Sequence, residues 1–521
     1  MEYNNPSEIV KDLNFGEEAK NKLMSGISKL SDAVGSTLGA SGKCVIYEDS
    51  MGKPVITKDG VTVAESVVLL DPVENMGATL IKEAAKNTVR EAGDGTTTAT
   101  VLAEALLKEM HEAINGGKSP RQVKANVDDS MHRVFKYLEK NKIEVTDKMI
   151  DDVATISTNN DISLGKLIGK AYRVVGKNGV VLMEESDNEE TTFETINGVQ
   201  FDCGLKSQHL ATDDNKEKAE LDNPLVLIIA SQVPNIRKIQ NVLEHAIKQQ
   251  RSLLIVAHVE KQPMSALMMN KVKGNIKVNI IDLPGFGSTK RDTIEDLAAL
   301  TGATIIDEDL GDDLDMVSIE ALGQATKSIT DQKSTTITIP EVPLKASERI
   351  SIVEDKIENE SNPFIKGKLQ QRLAMLSGAV GIIKVGANSK VELKEKKDRV
   401  EDAIYATKAA LQEGIVPGGG VALLDASSTV KSANKGEEDV LLKAVRAPFE
   451  KILYNAGIET YKSDLRKGSG YDVKTGKVVN MVRSGIIDPV LVTKTALKNA
   501  VSVASTIIST DCIISNIRTE A

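Results

Sequence analysis

Apolar residues recur at helical spacing, with Ala, Lys and Glu between them, from about Phe15 to Leu38 and again from Glu74 to Met110, so both stretches predict helices. Between them, CVIYEDSMGKPVITKDGVTVAESVVLL alternates β-branched with polar residues and is broken by Gly and Pro, the pattern of a hairpin in a small inserted sheet. After Lys142 the character changes. Polar TISTNND precedes a helix-like LGKLIGKAYRVVG and a strand-like VVLMEES, which puts a domain boundary nearby. From Asn223 to Gly285, strand-like PLVLIIA, SLLIVA and IKVNIID alternate with helical NIRKIQNVLEHAIKQQ and PMSALMMNKVK. Apolar strands alternating with helices imply right-handed βαβ units around a parallel sheet buried on both faces, hence a separate α/β domain. Farther on, SERISIVEDKIENE, KGKLQQRLAMLSG and KVELKEKKDRVEDAIYATKAALQEG read as long charged helices. The C-terminal part then returns to an Ala-rich helical character like that of the N-terminal part, a hint that both chain ends share one domain.

Length turns this pattern into a multidomain expectation, because 521 residues exceed what one core accommodates, roughly 250 to 300. With 41% hydrophobic and 27% charged residues the chain is an ordinary globular one. Its 65 basic against 75 acidic side chains give a net charge of -10, which disfavours nucleic acid and anionic membrane as partners. There is no Trp and only 3% aromatic content, too little to build stacking platforms for single strands. Cys44, Cys203 and Cys512 lie far apart without a CxxC pair, so a reducing, cytoplasmic location is expected. The start MEYNNPSEIV lacks a basic region followed by an apolar run, and no stretch reaches the roughly 18 apolar residues of a membrane span, so a soluble, unexported protein is expected.

The common nucleotide, zinc and acyl-transfer signatures are missing: there is no GxxxxGK[ST], HExxH or GxSxG, and His111, His132, His209, His245 and His258 show no ligand spacing. One segment stands out. In Ala92-Gly93-Asp94-Gly95-Thr96-Thr97-Thr98-Ala99-Thr100-Val101-Leu102, two glycines bracket an aspartate and three threonines open an apolar helix. Such a helix start offers unpaired N–H groups, the positive end of the dipole and hydroxyl donors, all favourable to phosphate. Asp94 would hold phosphate-bound magnesium, a hard cation that prefers carboxylate oxygen. A bare DGT reads instead as a helix cap satisfying its own backbone; the uninterrupted run favours phosphate.

That run, GDGTTTATVLA, resembles the phosphate-binding motif of the chaperonins, and further segments resemble the group I branch in the family's order. They are TLGASGK at Thr37 to Lys43, TKDGVTVA at Thr57 to Ala64, ENMGA at Glu74 to Ala78, GVQFDCG at Gly198 to Gly204, PGFG at Pro284 to Gly287, LKEKKDRVEDA at Leu393 to Ala403, EGIVPGGGVAL at Glu413 to Leu423 and GIIDP at Gly485 to Pro489. The resemblance spans essentially the whole chain. It implies a multidomain fold combining α+β and α/β parts: a helical equatorial domain from residues 1–139 and 413–521, a small hinge (intermediate) domain from 140–196 and 381–412, and an α/β apical domain from 197–380.

It further implies an ATPase coupled to protein folding. The nucleotide would meet Thr37, Leu38, Gly39, Ala40, Lys58, Asp94, Gly95, Thr96, Thr97, Thr98, Gly418, Gly419, Ile486 and Asp488, with Asp94 also the metal ligand and Asp402 of RVEDA the catalytic residue. ATP and Mg2+ are the implied cofactors, with K+ a candidate. Non-native proteins are the implied clients, a 10 kDa co-chaperonin the implied partner, and a homo-oligomeric ring of seven, single or double, the implied assembly. Client contact would fall to Leu205, Leu210, Leu243, Met264, Leu267, Met268 and Met269, the methionines supplying adaptable thioethers.

The chain also departs from the family's pattern. Gly470-Tyr471-Asp472-Val473-Lys474-Thr475 stands where the family reads close to GYNAAT, and those side chains are left out of the expected site. The client groove is more polar, with Leu205-Lys206-Ser207-Gln208-His209-Leu210 carrying no aromatic residue, and the Gly-Gly-Met repeats that often end such chains are absent. These departures keep a holding scaffold with impaired cycling as the alternative. An ATP-dependent enzyme for a small substrate would need a second set of convergent polar groups in the α/β domain, and the sequence offers none.

Overall fold

The computed structural model describes residues 11–49, 51–158, 160–176, 179–186, 188–213, 217–284, 290–314, 317–340, 343–359, 369, 372, 373, 376, 379–432, 439–459, 461 and 465–516. The first ten residues, Gly285 to Gly287 of PGFG, most of KGKLQQRLAMLSG and the last five residues of the chain lie outside them. Two compact units result. The first draws on the chain up to Lys170, on Glu185–Thr191 and on everything from Val385 onward; the second takes Ala171–Glu184 and Thr192–Lys384.

In the first unit, strand β1 (Lys11–Phe15) leads into α1 (Gly16–Gly35). The hairpin of β2 (Val45–Glu48) and β3 (Pro54–Thr57) forms as the alternating pattern predicts. It stops at Thr57, however, and GVTVAES is helix α2 (Gly60–Ser66) rather than strand. The reason is local: the Asp59 carboxylate accepts from the Val61 and Thr62 amides, at 3.2 and 2.7 Å, and this cap outweighs the β-branched side chains. Long helices α3 (Pro72–Ala92), α4 (Thr96–Asn115) and α5 (Pro120–Asn141) follow, then α6 (Asp147–Ser157) and α7 (Ile162–Val175), whose residues from Ala171 on belong to the second unit. Helices α3 and α5 open on an Asp or Ser cap followed at once by Pro. A Cβ on Gly26 would lie 1.9 Å from the Glu74 carbonyl oxygen, and one on Gly77 2.3 Å from that of Leu23, so α1 and α3 touch through bare backbone.

The second unit contains β4 (Val180–Glu185), β5 (Thr192–Phe201), β6 (Ala219–Asp222), β7 (Leu225–Val233), α8 (Gln240–Lys248), β8 (Leu253–Val259), α9 (Lys261–Val272), β9 (Val278–Ile281), α10 (Lys290–Thr301), β10 (Ile305–Ile306), β11 (Gly323–Gln324), β12 (Lys327–Thr330), β13 (Thr335–Ile339), α11 (Leu344–Asn359) and β14 (Ala379–Val385). Strands β10, β7, β8 and β9 are parallel, as the alternation of strands and helices predicts, and β11 adds antiparallel to β7. Leu225, Leu227 and Ile229 of β7 face one core with α8 and α9, while Val226 and Ile228 face another with α10 and α11. That period of two with both faces covered is why these strands read as unbroken apolar runs. A mixed sheet, β4-β14-β5-β13-β12-β6, packs on the second of these cores through Val199, Phe201, Leu221 and Ile337.

The chain then returns to the first unit with α12 (Lys390–Glu413), β15 (Ile415–Pro417), α13 (Val421–Thr429), α14 (Val440–Ala444), α15 (Ala447–Asn455), the hairpin of β16 (Ser469–Asp472) and β17 (Lys477–Asn480), β18 (Ile487–Pro489), α16 (Val490–Ile507) and β19 (Cys512–Asn516). Strand β19 pairs antiparallel with β1, and Ala-rich α16 sits in the core with α1, α3, α4 and α5, so both ends of the chain build one unit. No helix among the described residues is long and apolar enough to cross a membrane.

Inside the second unit Asp296, only 4% exposed, takes hydrogen bonds from Arg349 Nε at 2.6 Å and from Arg372 Nε and one terminal nitrogen at 2.6 and 2.8 Å. The carboxylate thereby fastens α11 and the segment at residue 372 to α10. Asp296→Ala would leave two guanidinium groups facing a buried gap. A loss of about 3 kcal/mol or more of stability is expected, readable as a fall in the denaturant midpoint of this unit; a change within 0.5 kcal/mol, by the ~0.5 kcal/mol typical of surface sites, would mean the pair is not holding the helices.

Candidate functional site

The first unit carries a cavity of about 1010 Å³ lined by segments that are hundreds of residues apart in sequence. Its floor is the turn between α3 and α4. Gly93 closes α3 and Gly95 opens α4, both with left-handed φ of +77° and +96°, and Asp94 sits between them. The amide end of α4, Thr96 to Thr98, therefore points at the cavity. The end of α1 contributes the loop Thr37 to Ala40, the end of β3 contributes Lys58, and α12 contributes Asp402. Helix α12 is seated directly on the α3–α4 turn: a Cβ on Gly93 would lie 2.3 Å from Cβ of Tyr405, one helical turn beyond Asp402.

The opposite wall comes from the pairing of β15 with β18, which sets Val416 against Asp488. The glycine turn after β15 folds back so that the Gly419 and Gly420 amides donate to the Asp488 carboxylate. Of the fourteen residues expected at the nucleotide, thirteen line this cavity, and so does Asp402. Gly418 does not. It lies behind the wall, where a Cβ would come within 2.9 Å of Asp488 Oδ1, and its part is to let the strands approach. The Thr37 hydroxyl is spent on the Val34 carbonyl at 2.8 Å, so this residue offers the cavity its backbone.

Electrostatics dominates the interior. Burial pushes the carboxyl of Asp402 well above the ordinary carboxylate range, and Asp94, Asp59, Glu401 and Asp398 push it the same way. Burial also raises Asp94, against the pull of the Gly95 amide and with a further push from Asp59. Asp488 is driven up to about 7 by burial and then by Asp94, despite its two glycine N–H donors. Lys58 is half-buried and lowered, first by burial and then by Arg399, although Cys44 and Glu395 act the other way. The site is thus short of positive charge. Asp94 is the carboxylate that could hold a magnesium ion together with phosphate oxygens; among the described residues no three His, Cys, Asp or Glu group as a metal site of their own.

Several lining residues escaped the sequence reading. Asp59 was hidden because TKDGVTVA read as strand; its capping position before α2 was the available signal. Asp398, four residues before Asp402 on α12, lines the same cavity and is pushed up to about 6 by burial and Asp59, so part of this long charged helix faces inward. Phe449, Ile452, Tyr471, Val473 and Met481 supply an apolar end. The departing segment is left out of the expected site, yet Tyr471, Asp472, Val473 and Lys474 line the cavity; the Asp472 carboxylate accepts from the Lys474 amide at 3.0 Å and the Thr475 hydroxyl at 2.8 Å, and so closes the β16–β17 turn.

The second unit corrects part of the client expectation. Leu210, Leu243 and Leu267 are 0, 8 and 1% exposed and belong to the core under α8 and α9: Leu243 and Leu267 are inward positions of those helices, and Leu210 ends the short 3-10 turn Gln208–Leu210 that packs on the same core. They offer no surface. Leu205, Met264 and Met268 are half-buried against the same core, and Met269 is 58% exposed.

A family model described as "TCP-1/cpn60 chaperonin family" matches residues 30–518. The chain belongs to the TCP-1/cpn60 chaperonin family. Two crystal structures of the chaperonin gp146 from bacteriophage EL 2 (Pseudomonas aeruginosa), both described as in presence of ATP-BeFx, share the fold at 22% identity. Crystal form II superposes with a TM-score of 0.73 over 96% of this chain and 98% of that one, form I with 0.65 over 97% and 99%. The chaperonin membership and multidomain fold expected from the motifs stand.

The buried acids make stability depend on pH. Because Asp488 has its folded pKa raised to about 7 from 3.8, the folded chain holds this proton more tightly than the unfolded one. Its stabilising share is complete below the unfolded value and is lost as pH rises through about 7. In the nucleotide-free chaperonin, Asp488→Asn should therefore raise Tm relative to the natural chain more at pH 8 than at pH 5. Equal shifts at both pH values would remove Asp488 from the titrating set.

Proposed function

We propose that this chaperonin is an ATP-hydrolysing folding machine of the group I type, in which the cavity of the first unit takes Mg·ATP and the cycle acts on non-native proteins. The observation that carries the reading is the convergence of Asp94, Asp402 and Asp488 on one cavity with the amide end of α4. Amides of α4 and of the Thr37 to Ala40 loop would receive phosphate oxygens, Asp488 the ribose side, and the apolar end with Tyr471 and Ile452 the base. Magnesium, held through Asp94, would neutralise phosphate charge. Positive charge near Asp94 and Lys58 lowers Asp402 toward its ionised form, in which it accepts the proton of the water that attacks the γ-phosphorus while ADP leaves with the bonding electrons.

Family membership further supports an oligomeric ring, read here as seven subunits, single or double, with a 10 kDa co-chaperonin, in the cytoplasm. Exposed Ile46, Met51 and Ile56 on the β2–β3 hairpin, and Val68 and Leu70 after it, are apolar surface of the kind neighbouring subunits cover. Residues 140–196 and 381–412 are proposed as the hinge domain between equatorial and apical parts. Client contact is now assigned to Leu205, Met264, Met268 and Met269.

Asp402→Ala tests the reading. Its kcat for ATP should fall ~100-fold or more, the range for losing a positioned general base, while Mg·ATP still binds and ATP-dependent refolding of an aggregation-prone client stops. A kcat within tenfold of the natural chain would contradict the role of Asp402. A natural chain that binds clients but does not turn over ATP would be the holding scaffold instead.

A further inference from the structure

Helix α15 touches both backbone segments that frame the cavity. At its start, a Cβ on Gly420 would lie 2.7 Å from the Phe449 nitrogen, so the glycine turn beside Asp488 rests on the first turn of the helix. Midway, Ile452 packs under the other segment, its side chain 3.1 Å from where a Cβ on Gly39 would be. At its end, Asn455 Nδ2 donates to the Gly35 carbonyl and to the Leu38 carbonyl, both at 2.9 Å. Both partners are carbonyl oxygens, so only the amide nitrogen can face them. Gly35 belongs to the last turn of α1, whose final carbonyls have no acceptor role inside the helix, and Leu38 lies in the loop that lines the cavity.

One side chain thus holds two carbonyls of this segment, and that side chain does not itself line the cavity. A peptide plane has its C=O and N–H on opposite edges, so fixing the Leu38 carbonyl also fixes the direction of the following amide, that of Gly39. Gly39 has a left-handed φ of +83° and carries no side chain that could hold this orientation. The loop's own backbone bonds, Leu38 N–H to the Gly35 carbonyl at 3.2 Å and Gly42 N–H to the Gly39 carbonyl at 3.0 Å, leave the Leu38 carbonyl to Asn455, and the other end of α15 meets the turn at Asp488. The helix is a spacer of fixed length between the two.

We infer that Asn455 is a positioning residue for phosphate binding: through its two carbonyl contacts it aims the Leu38–Gly39 backbone at the phosphates of the nucleotide. The inference rests on the ATP reading above. Asn455 itself touches no substrate in this assignment. Its loss should therefore weaken ligands that carry phosphates, and leave the base and ribose contacts alone.

The test uses the full-length protein with Asn455→Leu, an isostere without donors, and Asn455→Asp, which sets a carboxylate against the two carbonyls. Affinities for Mg·ATP, Mg·ADP and adenosine, KM and kcat for ATP, and Tm are measured for each. Expected for Asn455→Leu is a rise of ~10-fold in the Kd of ADP and ATP and in KM, the effect of one to two lost hydrogen bonds. Adenosine affinity and kcat should stay within about threefold, on the same scale, with a larger phosphate-specific loss for Asn455→Asp. Tyr454→Ala, next to it on α15 and outside the cavity, should change none of the ligand ratios. The inference is overturned if adenosine and ATP weaken equally, if kcat falls with KM unchanged, or if folded variants bind ATP like the natural chain. A natural chain that binds no ATP overturns the ATP reading as well, an outcome separate from unaltered variants of a working natural chain.

Discussion

Gathering Asp94, Asp402 and Asp488 around one partly enclosed cavity sets like charges against each other, and the first unit is built around that conflict. Each acid is raised by burial before its neighbours add to the effect. Without a cation the set favours bound protons; with one, ionised carboxylates become useful. The protein meets part of the cost through backbone. Glycine amides reach Asp488, the Gly95 amide reaches Asp94, and the half-buried ammonium of Lys58 stands nearby. The Mg·ATP proposed for this cavity would bring the positive charge that the set lacks.

Such a cavity needs several backbones to approach closely, and close approach explains the small residues of the first unit. Gly26 and Gly77 bring α1 against α3, Gly93 seats α12 on the turn holding Asp94, and Ala-rich α16 packs into the same core. Chain connectivity does the rest. The end of α1, the start of α4, the middle of α12 and the β15–β18 pair each deliver one part. Removing any of these segments leaves a different edge of the cavity unmade. The second unit follows other rules: a parallel sheet apolar on both faces, closed by helices, with Asp296 as a charged fastener.

Much of this could be read from residue order. The run from Gly93 to Leu102 predicts a glycine-bracketed turn opening a helix, and the structure has that turn. The apolar runs from Leu225 to Ile281 predict the parallel sheet, because both faces are buried and no alternation survives. Legibility failed where one local contact reversed a pattern. GVTVAES is β-branched, yet Asp59 caps it as a helix and turns its own carboxylate toward the site. Asp398 hid in a charged run because composition cannot say which face of a helix is wet. Leu210, Leu243 and Leu267 read as groove residues, but an apolar residue in an amphipathic element more often turns to the core, and here these three do.

The central claim is that burial and Asp94 favour a proton on Asp488 in the cavity without nucleotide, and that the proposed Mg·ATP would displace it. Calorimetric titration with magnesium and a nonhydrolysable ATP analogue near pH 7, repeated in two buffers of different ionisation heat, counts the protons that leave. Net release from the natural chain, reduced in Asp488→Asn, is the result expected. Binding with no proton release in either protein would mean that the carboxylates are already ionised in the empty cavity, and the central claim would fall.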